Sequence, residues 1–179
     1  MMLSQVGARY LQLRNIMRAT QVSYPKTRTV SGYNQNSTPW AEAYDGDHST
    51  TDGKFLRSSV QGDGGQSISS SFKVTLTRPV TTKKIDVWWY GWGREGAGGY
   101  GDVKGHRSDT LKVNGSTIIT DTSMTQSIGN LPTEQVDNTV RTGVNEVFVE
   151  QYAWDDADGS LNPRSAYNYL HELEIWAVV

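Results

Sequence analysis

Residues 68–76 read ISSSFKVTL, and this stretch decides the fold class. Apolar residues recur at every second position except for one serine, and polar residues occupy the positions between them. A period of two predicts an antiparallel strand with one buried and one solvent-facing side. After Arg78-Pro79, a second alternating stretch at residues 85–90 carries aromatic residues on both faces, which predicts a central strand.

The pair Asn114-Gly115 predicts a β-hairpin. It separates two short apolar runs, residues 111–113 and 117–119, and supplies the two positive φ angles that a type I′ turn requires. Two further strands are predicted at residues 144–152 and 170–179. Many short strands separated by turns, with no sizeable helix after residue 67, predict an all-β, antiparallel sandwich or barrel.

A common hydrophobic core should join these strands. The residues that we expect in it lie on the apolar faces of the predicted strands: Phe72, Val74, Leu76, Ile85, Val87, Leu173 and Ile175.

The body of the domain is expected at residues 25–179, and residues 1–24 have two interpretations. In the first, they form an arm whose apolar residues dock on a neighbouring subunit. In the second, residues 8–13 form an edge strand of the sandwich. The apolar spacing fits both a helix and a strand, so the period does not decide between them.

The composition excludes several classes of protein. The chain has 179 residues, enough for one domain, and contains no cysteine, which excludes disulfides, thiolate metal sites and a cysteine nucleophile. A net charge of −2 argues against nucleic acid as the main partner. The first twenty residues include three arginines and no long apolar run, so neither a signal peptide nor a membrane span is expected. We therefore expect synthesis in the cytosol.

Three segments resemble the discoidin family, also called coagulation-factor type C or galactose-binding-like domains. They are residues 41–50 (AEAYDGDHST), residues 72–76 (FKVTL) and residues 169–176 (YLHELEIW). Their order and spacing extend the resemblance over roughly residues 30–179. The resemblance implies an antiparallel jelly-roll sandwich that contacts ligands through loops at one end.

A calcium site is a candidate function of the early loop. Asp45, Asp47 and Thr50 place hard oxygen ligands on one tight turn, and such ligands suit Ca²⁺. The resemblance implies that Glu172 from the last strand completes this structural site. The alternative is that Asp45 only shapes a turn by accepting hydrogen bonds from nearby N–H groups.

The glycine-rich segment at residues 91–107 is the candidate contact region. Residues 91–96 (GWGREG) match a dinucleotide fingerprint, but the glycines that follow are incompatible with the helix that must hold the pyrophosphate. Aromatic faces stack on sugars or protein side chains, while arginine and histidine hydrogen-bond. The predicted contact residues are Trp92, Arg94, Tyr100, His106 and Trp154, with Arg107 in the same segment. The alternative is that a tryptophan covers the core.

The sequence contains no catalytic motif, so we expect a protein that is not an enzyme. The first functional hypothesis is a structural subunit of a phage or viral virion, such as a decoration, adaptor or tail protein, whose partners are protein subunits in a homo-oligomer or virion. The alternative is a carbohydrate-binding, lectin-like module that recognises cell-surface glycans. The missing export signal and the lack of an attached catalytic domain favour the virion-associated hypothesis.

Overall fold

The computed structural model describes residues 12–18, 26–33, 56–62, 67–94, 105–122, 133–155 and 164–179. Within these ranges the secondary structure consists of strands, and no helix is present that could cross a membrane. The strands are β1 (Leu13–Asn15), β2 (Lys26–Ser31), β3 (Leu56–Gly62), β4 (Ser67–Arg94), β5 (Gly105–Val113), β6 (Ser116–Asp121), β7 (Thr133–Asp137), β8 (Arg141–Asp155) and β9 (Arg164–Val178).

The long strand β4 belongs to two layers. In its first part, residues 67–75 pair with β8 and residues 71–76 with β2, whereas residues 81–94 pair with β9 on one edge and, at residues 85–89, with β7 on the other. The first layer therefore has the order β2-β4-β8-β5-β6. The second layer has the order β7-β4-β9, and β3 and β1 follow each other along the free edge of β9.

All strand pairs are antiparallel, and strands distant in the sequence lie side by side in both layers. Such interleaving is typical of Greek-key and jelly-roll sandwiches. The predicted all-β, antiparallel sandwich is thus confirmed. The Asn114-Gly115 turn is confirmed as well, since its two residues have φ angles of 48° and 79° between β5 and β6.

One hydrophobic core lies between the layers. All seven predicted core residues belong to it, and they are joined by residues such as Trp89, Leu111 and Val149. The period of two at residues 68–76 is present in the structure: Phe72, Val74 and Leu76 are buried, Ile68 is partly buried, and the positions between them are more exposed. The core prediction is confirmed.

The prediction of two separate strands around Arg78-Pro79 was wrong. β4 runs through both residues as one strand, but its pairing with β8 shifts register between Thr75 and Val80. Arg78 and Pro79 are exposed at this irregularity. Proline donates no hydrogen bond, so it is tolerated where the pairing is interrupted, and the irregularity lets β4 pass from one layer to the other.

The N-terminal segment contributes to the core. Leu13 pairs with Val178 of β9, and the N–H of Ile16 donates to the carbonyl of Ile175 at 2.9 Å. Ile16 and Met17 are 1% and 0% exposed. The expectation of an arm that leaves the core is therefore wrong for residues 12–18, because Ile16 and Met17 pack in the core of this domain. Residues 1–11 and 19–25 lie outside the described ranges.

Candidate functional site

The first layer ends in a row of three paired residues. Trp154 of β8 lies opposite Ser67 on β4 and, on its other edge, opposite His106 on β5. At this end residues 95–104 precede β5 and residues 156–163 follow β8. Because these residues lie at or next to the ends of their strands, the row marks one end of the layer.

The second layer ends at the same place. Arg94, the last residue of β4, lies opposite Ser165 near the start of β9. Three residues further along β9, the amide of Asn168 donates to the main-chain oxygen of Ile68 at 3.2 Å. Because Ile68 follows Ser67, the terminal row of the first layer and the Arg94 end of the second layer form one end of the sandwich. We call it the loop end.

Four of the five predicted contact residues have their backbone at or near the loop end. Arg94, His106 and Trp154 lie at or next to the ends of their strands, and Trp92 lies two residues before Arg94, opposite Tyr167. Trp154 is half-buried. Tyr100 lies outside the described residues. The role of these residues in ligand contact remains a prediction.

Arg107 is not a contact residue, contrary to its assignment to the glycine-rich contact segment. It is 3% exposed and its Nε donates to Oδ2 of Asp109 at 2.5 Å. A terminal nitrogen of Arg107 also lies 3.3 Å from Oδ2 of Asp121, which accepts a hydrogen bond from Trp89 Nε1 at 3.1 Å. Burial raises the pKa of Asp109 to about 6, although Arg107 opposes the shift. The cluster connects β4 of the second layer with β5 and β6 of the first.

A second set of buried hydrogen bonds lies between the layers below the loop end. Gln151 donates to Asp109 at 3.2 Å and accepts from the hydroxyl of Tyr33 at 2.5 Å. The amide of Asn168 donates to the hydroxyl of Ser70 at 2.9 Å and to the carbonyl of Gln151 at 3.2 Å. Buried hydrogen bonds of this kind fix the relative position of the elements that carry them.

Gly32 allows Tyr33 to reach this interior position. Its φ angle is +78°, and a Cβ atom at Gly32 would lie 2.2 Å from the main-chain oxygen of Ser69. Only glycine combines this backbone conformation with such a close approach to β4.

The predicted calcium site is only partly within the described residues. Glu172 is fully buried on the outward side of β9, opposite Trp88 of β4. Asp45, Asp47 and Thr50 lie outside the described ranges. Within those ranges, no group of three His, Cys, Asp or Glu residues is arranged to hold a metal ion. A carboxylate oxygen suits Ca²⁺, so the site remains a prediction that depends on the early loop.

Glu172 belongs to a row of buried acids that the sequence did not indicate. Asp86 and Glu174 lie opposite each other on β4 and β9, and both are buried. Lys84 Nζ is 2.5 Å from Asp86, and Arg18 forms an ion pair with Glu174. Burial raises the pKa of Asp86, and the nearby Lys84 opposes that shift. The alternation of β9 predicts that Glu172 and Glu174 lie on the side facing away from the core, but it does not predict that this side is buried.

His171 is the extra residue of a bulge in β9. The register shift opposite Trp88 and Trp89 leaves it without a position in the regular ladder. It is 2% exposed, and its ring centroid lies 6.3 Å from that of Tyr169. Burial lowers the pKa of His171 to about 4, so the ring is neutral at pH 7.

A polar depression of about 460 Å³ lies on the outward side of the first layer. We call it the outer groove. Its lining comes from five adjacent strands and includes Ser31 of β2, Ser71 of β4, Tyr152 of β8, Thr110 of β5 and Thr117 of β6. No local sequence pattern indicates this surface, because its residues are far apart in the chain.

Two rows of paired residues form the floor of the outer groove. In one row, Tyr152 lies between Ser69 and Ser108, and in the next Glu150 lies between Ser71 and Thr110. These side chains point away from the core because their neighbours in sequence point into it. Tyr152 is 39% exposed.

Three solved structures have a similar arrangement of strands. A GH29 fucosidase from Ruminococcus gnavus, in complex with fucose, is 10% identical with a TM-score of 0.49, and the match covers 93% of this chain and 27% of the fucosidase chain. The lectin binding domain of Lectinolysin, complexed with Lewis b, is 14% identical with a TM-score of 0.46, and the match covers 94% and 99% of the two chains. The family 32 CBM of NanJ from C. perfringens, in complex with galactose, is 14% identical with a TM-score of 0.44, and the match covers 84% and 93%. This chain spans about a quarter of the fucosidase's length. No protein-family model and no curated protein matches the sequence.

Proposed function

We propose that this chain is a carbohydrate-binding module without catalytic activity of its own. The observation that carries the proposal is the common position of Arg94, His106 and Trp154 at the loop end, on strands of both layers. An aromatic ring stacks on the apolar face of a sugar, and arginine and histidine form directional hydrogen bonds with its hydroxyl groups.

The buried polar residues beneath the loop end support this proposal. Arg107, Asp109 and Gln151 link the strands that carry His106 and Trp154, and they also reach the second layer through Trp89 and Asn168. A site built on strands that are fixed in this way loses little conformational entropy when a ligand binds.

The position of Asp109 favours binding over catalysis. Its pKa of about 6 would suit a general acid. The carboxyl is fully buried, however, and its nearest partners are Arg107 and Gln151. A general acid must come within hydrogen-bond reach of the substrate, so we assign Asp109 a structural role.

Calcium enters the proposal as a structural ion. Asp45, Asp47 and Thr50 would hold it with Glu172, whose buried carboxylate lies on the last strand. The ion would fix the early loop against the sandwich and contribute no chemistry. Its removal by a chelator should lower the melting temperature, because an ion that binds only the folded state stabilises that state.

An assembly role, as in a virion, is the second candidate. Leu13 and Val179 are 53% and 36% exposed, and they lie close together where β1 pairs with the end of β9. Exposed apolar residues on an edge strand favour contact with another subunit. The mass in solution tests this candidate: an oligomer supports it, and a monomer at all concentrations contradicts it.

The binding proposal is tested by titrating the protein with neutral glycans, using galactose and fucose as first probes, with and without a chelator. We expect Trp154→Ala to weaken binding about tenfold, which corresponds to about 1.4 kcal/mol. Val140→Ala is the control, because Val140 is 53% exposed just before β8 begins, at the opposite end of the sandwich. Unchanged binding in both Trp154→Ala and Arg94→Ala, or no binding of any glycan, would contradict the proposed function.

A further inference from the structure

We propose that the outer groove is a second contact surface, which binds the continuing chain of an extended, neutral glycan whose end occupies the loop end. The inference rests on the proposed function, and it extends the ligand from a single sugar to an oligosaccharide. It is carried by the chemistry, charge and shape of the groove and by its continuity with Trp154.

The chemistry of the groove is that of hydroxyl groups. Ser69, Ser71, Ser108 and Thr110 lie in two adjacent rows across β4, β8 and β5 and line the depression. A hydroxyl group donates one hydrogen bond and accepts others, and so does each hydroxyl of a sugar. Such a surface is complementary to a polyol in many orientations.

The charge of the groove favours a neutral ligand. Among the described residues of its lining, the charged ones are Lys112 and Glu150, which form an ion pair with each other. The Lys112 ammonium also lies 5.8 Å from the centre of the Phe148 ring. A phosphate, sulfate or uronate would need an excess of cations, and a cationic ligand an excess of acids. The part of the lining that the structure describes provides neither.

The shape of the groove fits a chain of sugars. Its volume of about 460 Å³ is within the range of about 300–1,000 Å³ that small-ligand sites have. The lining extends from Ser31 on β2 to Thr117 on β6, across five strands. Strands are spaced about 4.8 Å apart, so this width is roughly 19 Å.

Tyr152 connects the groove with the loop end. It is exposed in the groove, and Trp154 follows two residues later on the same side of β8. Residues two positions apart in a strand are separated by about 7 Å. The two rings therefore form adjacent stacking positions, and a glycan bound at Trp154 would enter the groove past Tyr152.

The test compares short and long neutral glycans on the same protein. Galactose and fucose report on the loop end, and neutral oligosaccharides that end in these sugars report on the loop end and the groove together. We expect Tyr152→Ala to weaken binding of the oligosaccharides about tenfold and to leave binding of the single sugars unchanged. Thr75→Ala, on the exposed side of β4 outside the groove lining, is the matched control and should bind both as the wild type does.

A second measurement locates the ligand directly. In a two-dimensional NMR titration with the oligosaccharide, the amides of residues 69–71, 108–110 and 150–152 should shift, in addition to those near Arg94 and His106. If the oligosaccharide shifts only the loop-end amides, or if Tyr152→Ala binds it normally, the groove is not a contact surface although the proposed function stands. If single sugars fail to bind but oligosaccharides shift the groove amides, the groove contacts glycans without a loop-end site, and both the proposed function and the inference built on it are overturned. Preference for sulfated or sialylated glycans would overturn the neutral ligand class.

Discussion

The two sides of the first layer use polar residues in opposite ways. On β5, Arg107 and Asp109 point into the sandwich, are buried, and form a charged cluster with Asp121. Ser108 and Thr110, which alternate with them, point outward into the outer groove. Adjacent residues of one strand thus either connect the two layers or offer hydroxyl groups to a ligand.

In this layer, burial rather than residue type determines what a polar side chain contributes to stability. Arg107 and Lys112 are both cations on β5 with acidic partners, but the side chain of Arg107 is 0% exposed and that of Lys112 is 28% exposed. An ion pair in water contributes little to stability, whereas a buried pair is costly to break because one charge is left behind.

The largest expected effect is that of Arg107→Met. The substitution leaves Asp109 and Asp121 buried without their guanidinium group, and we expect the free energy of unfolding at pH 7 to fall by about 3–5 kcal/mol. Urea denaturation measures it. Lys112→Met, on the outward side of the same strand, is the control and should cost about 0–1 kcal/mol. Equal losses in the two variants would contradict the contrast between the two sides.

A smaller effect is expected from the titration of Asp109. Its pKa is about 6 in the folded protein, whereas the ordinary value is 3.8. The folded protein therefore binds this proton more tightly than the unfolded chain does. The protonated carboxyl stabilises the fold at low pH, and this contribution of about 3 kcal/mol is lost as the pH rises from about 4 through 6. Asp109→Asn should remove this dependence, so the stability of the variant relative to the wild type should rise between pH 4 and pH 7.

His171→Gln is the control for this measurement, because the pKa of His171 is shifted in the opposite direction from that of Asp109. Its pKa of about 4 lies below the ordinary 6.5, so the neutral ring stabilises the fold above pH 6.5 and that contribution is lost as the pH falls toward 4. The variant should therefore lose less stability on acidification than the wild type. If both variants change the pH profile in the same direction, burial of these two groups is not the cause.

The sequence predicted what depends on local alternation. The strand at residues 68–76, the hairpin at Asn114-Gly115 and the shared core follow from patterns within short stretches, and the structure has them. The bend of β4 and the bulge at His171 depend on the register with β8 and β9, which no local pattern contains. The outer groove was missed for the same reason, because pairing alone brings Ser71 beside Glu150 and Thr110.

The misassignment of Arg107 was avoidable. The predicted strand contains Leu111 and Val113, and its alternation, continued backwards, places Asp109 and Arg107 on the same, inward side. The glycine-rich composition before residue 105 concealed the point at which this strand begins. The calcium prediction depends on residues 45–50, whose position relative to Glu172 no pattern in the sequence defines.

The smallest expected effect is that of Glu150→Gln on stability. The Glu150 side chain is 41% exposed and its ion pair with Lys112 is open to solvent, so screening by water and salt reduces its contribution, and the free energy of unfolding should change by less than about 1 kcal/mol. The loss should shrink further as salt is added.

The same substitution leaves Lys112 as an uncompensated cation in the outer groove, so the groove should begin to accept anionic glycans that the wild type rejects. Urea denaturation at low and high salt, together with binding of a sulfated and a neutral glycan, measures both effects. A loss of several kcal/mol would mean that the outward side of the first layer helps to hold the fold together, and the contrast between its two sides would disappear.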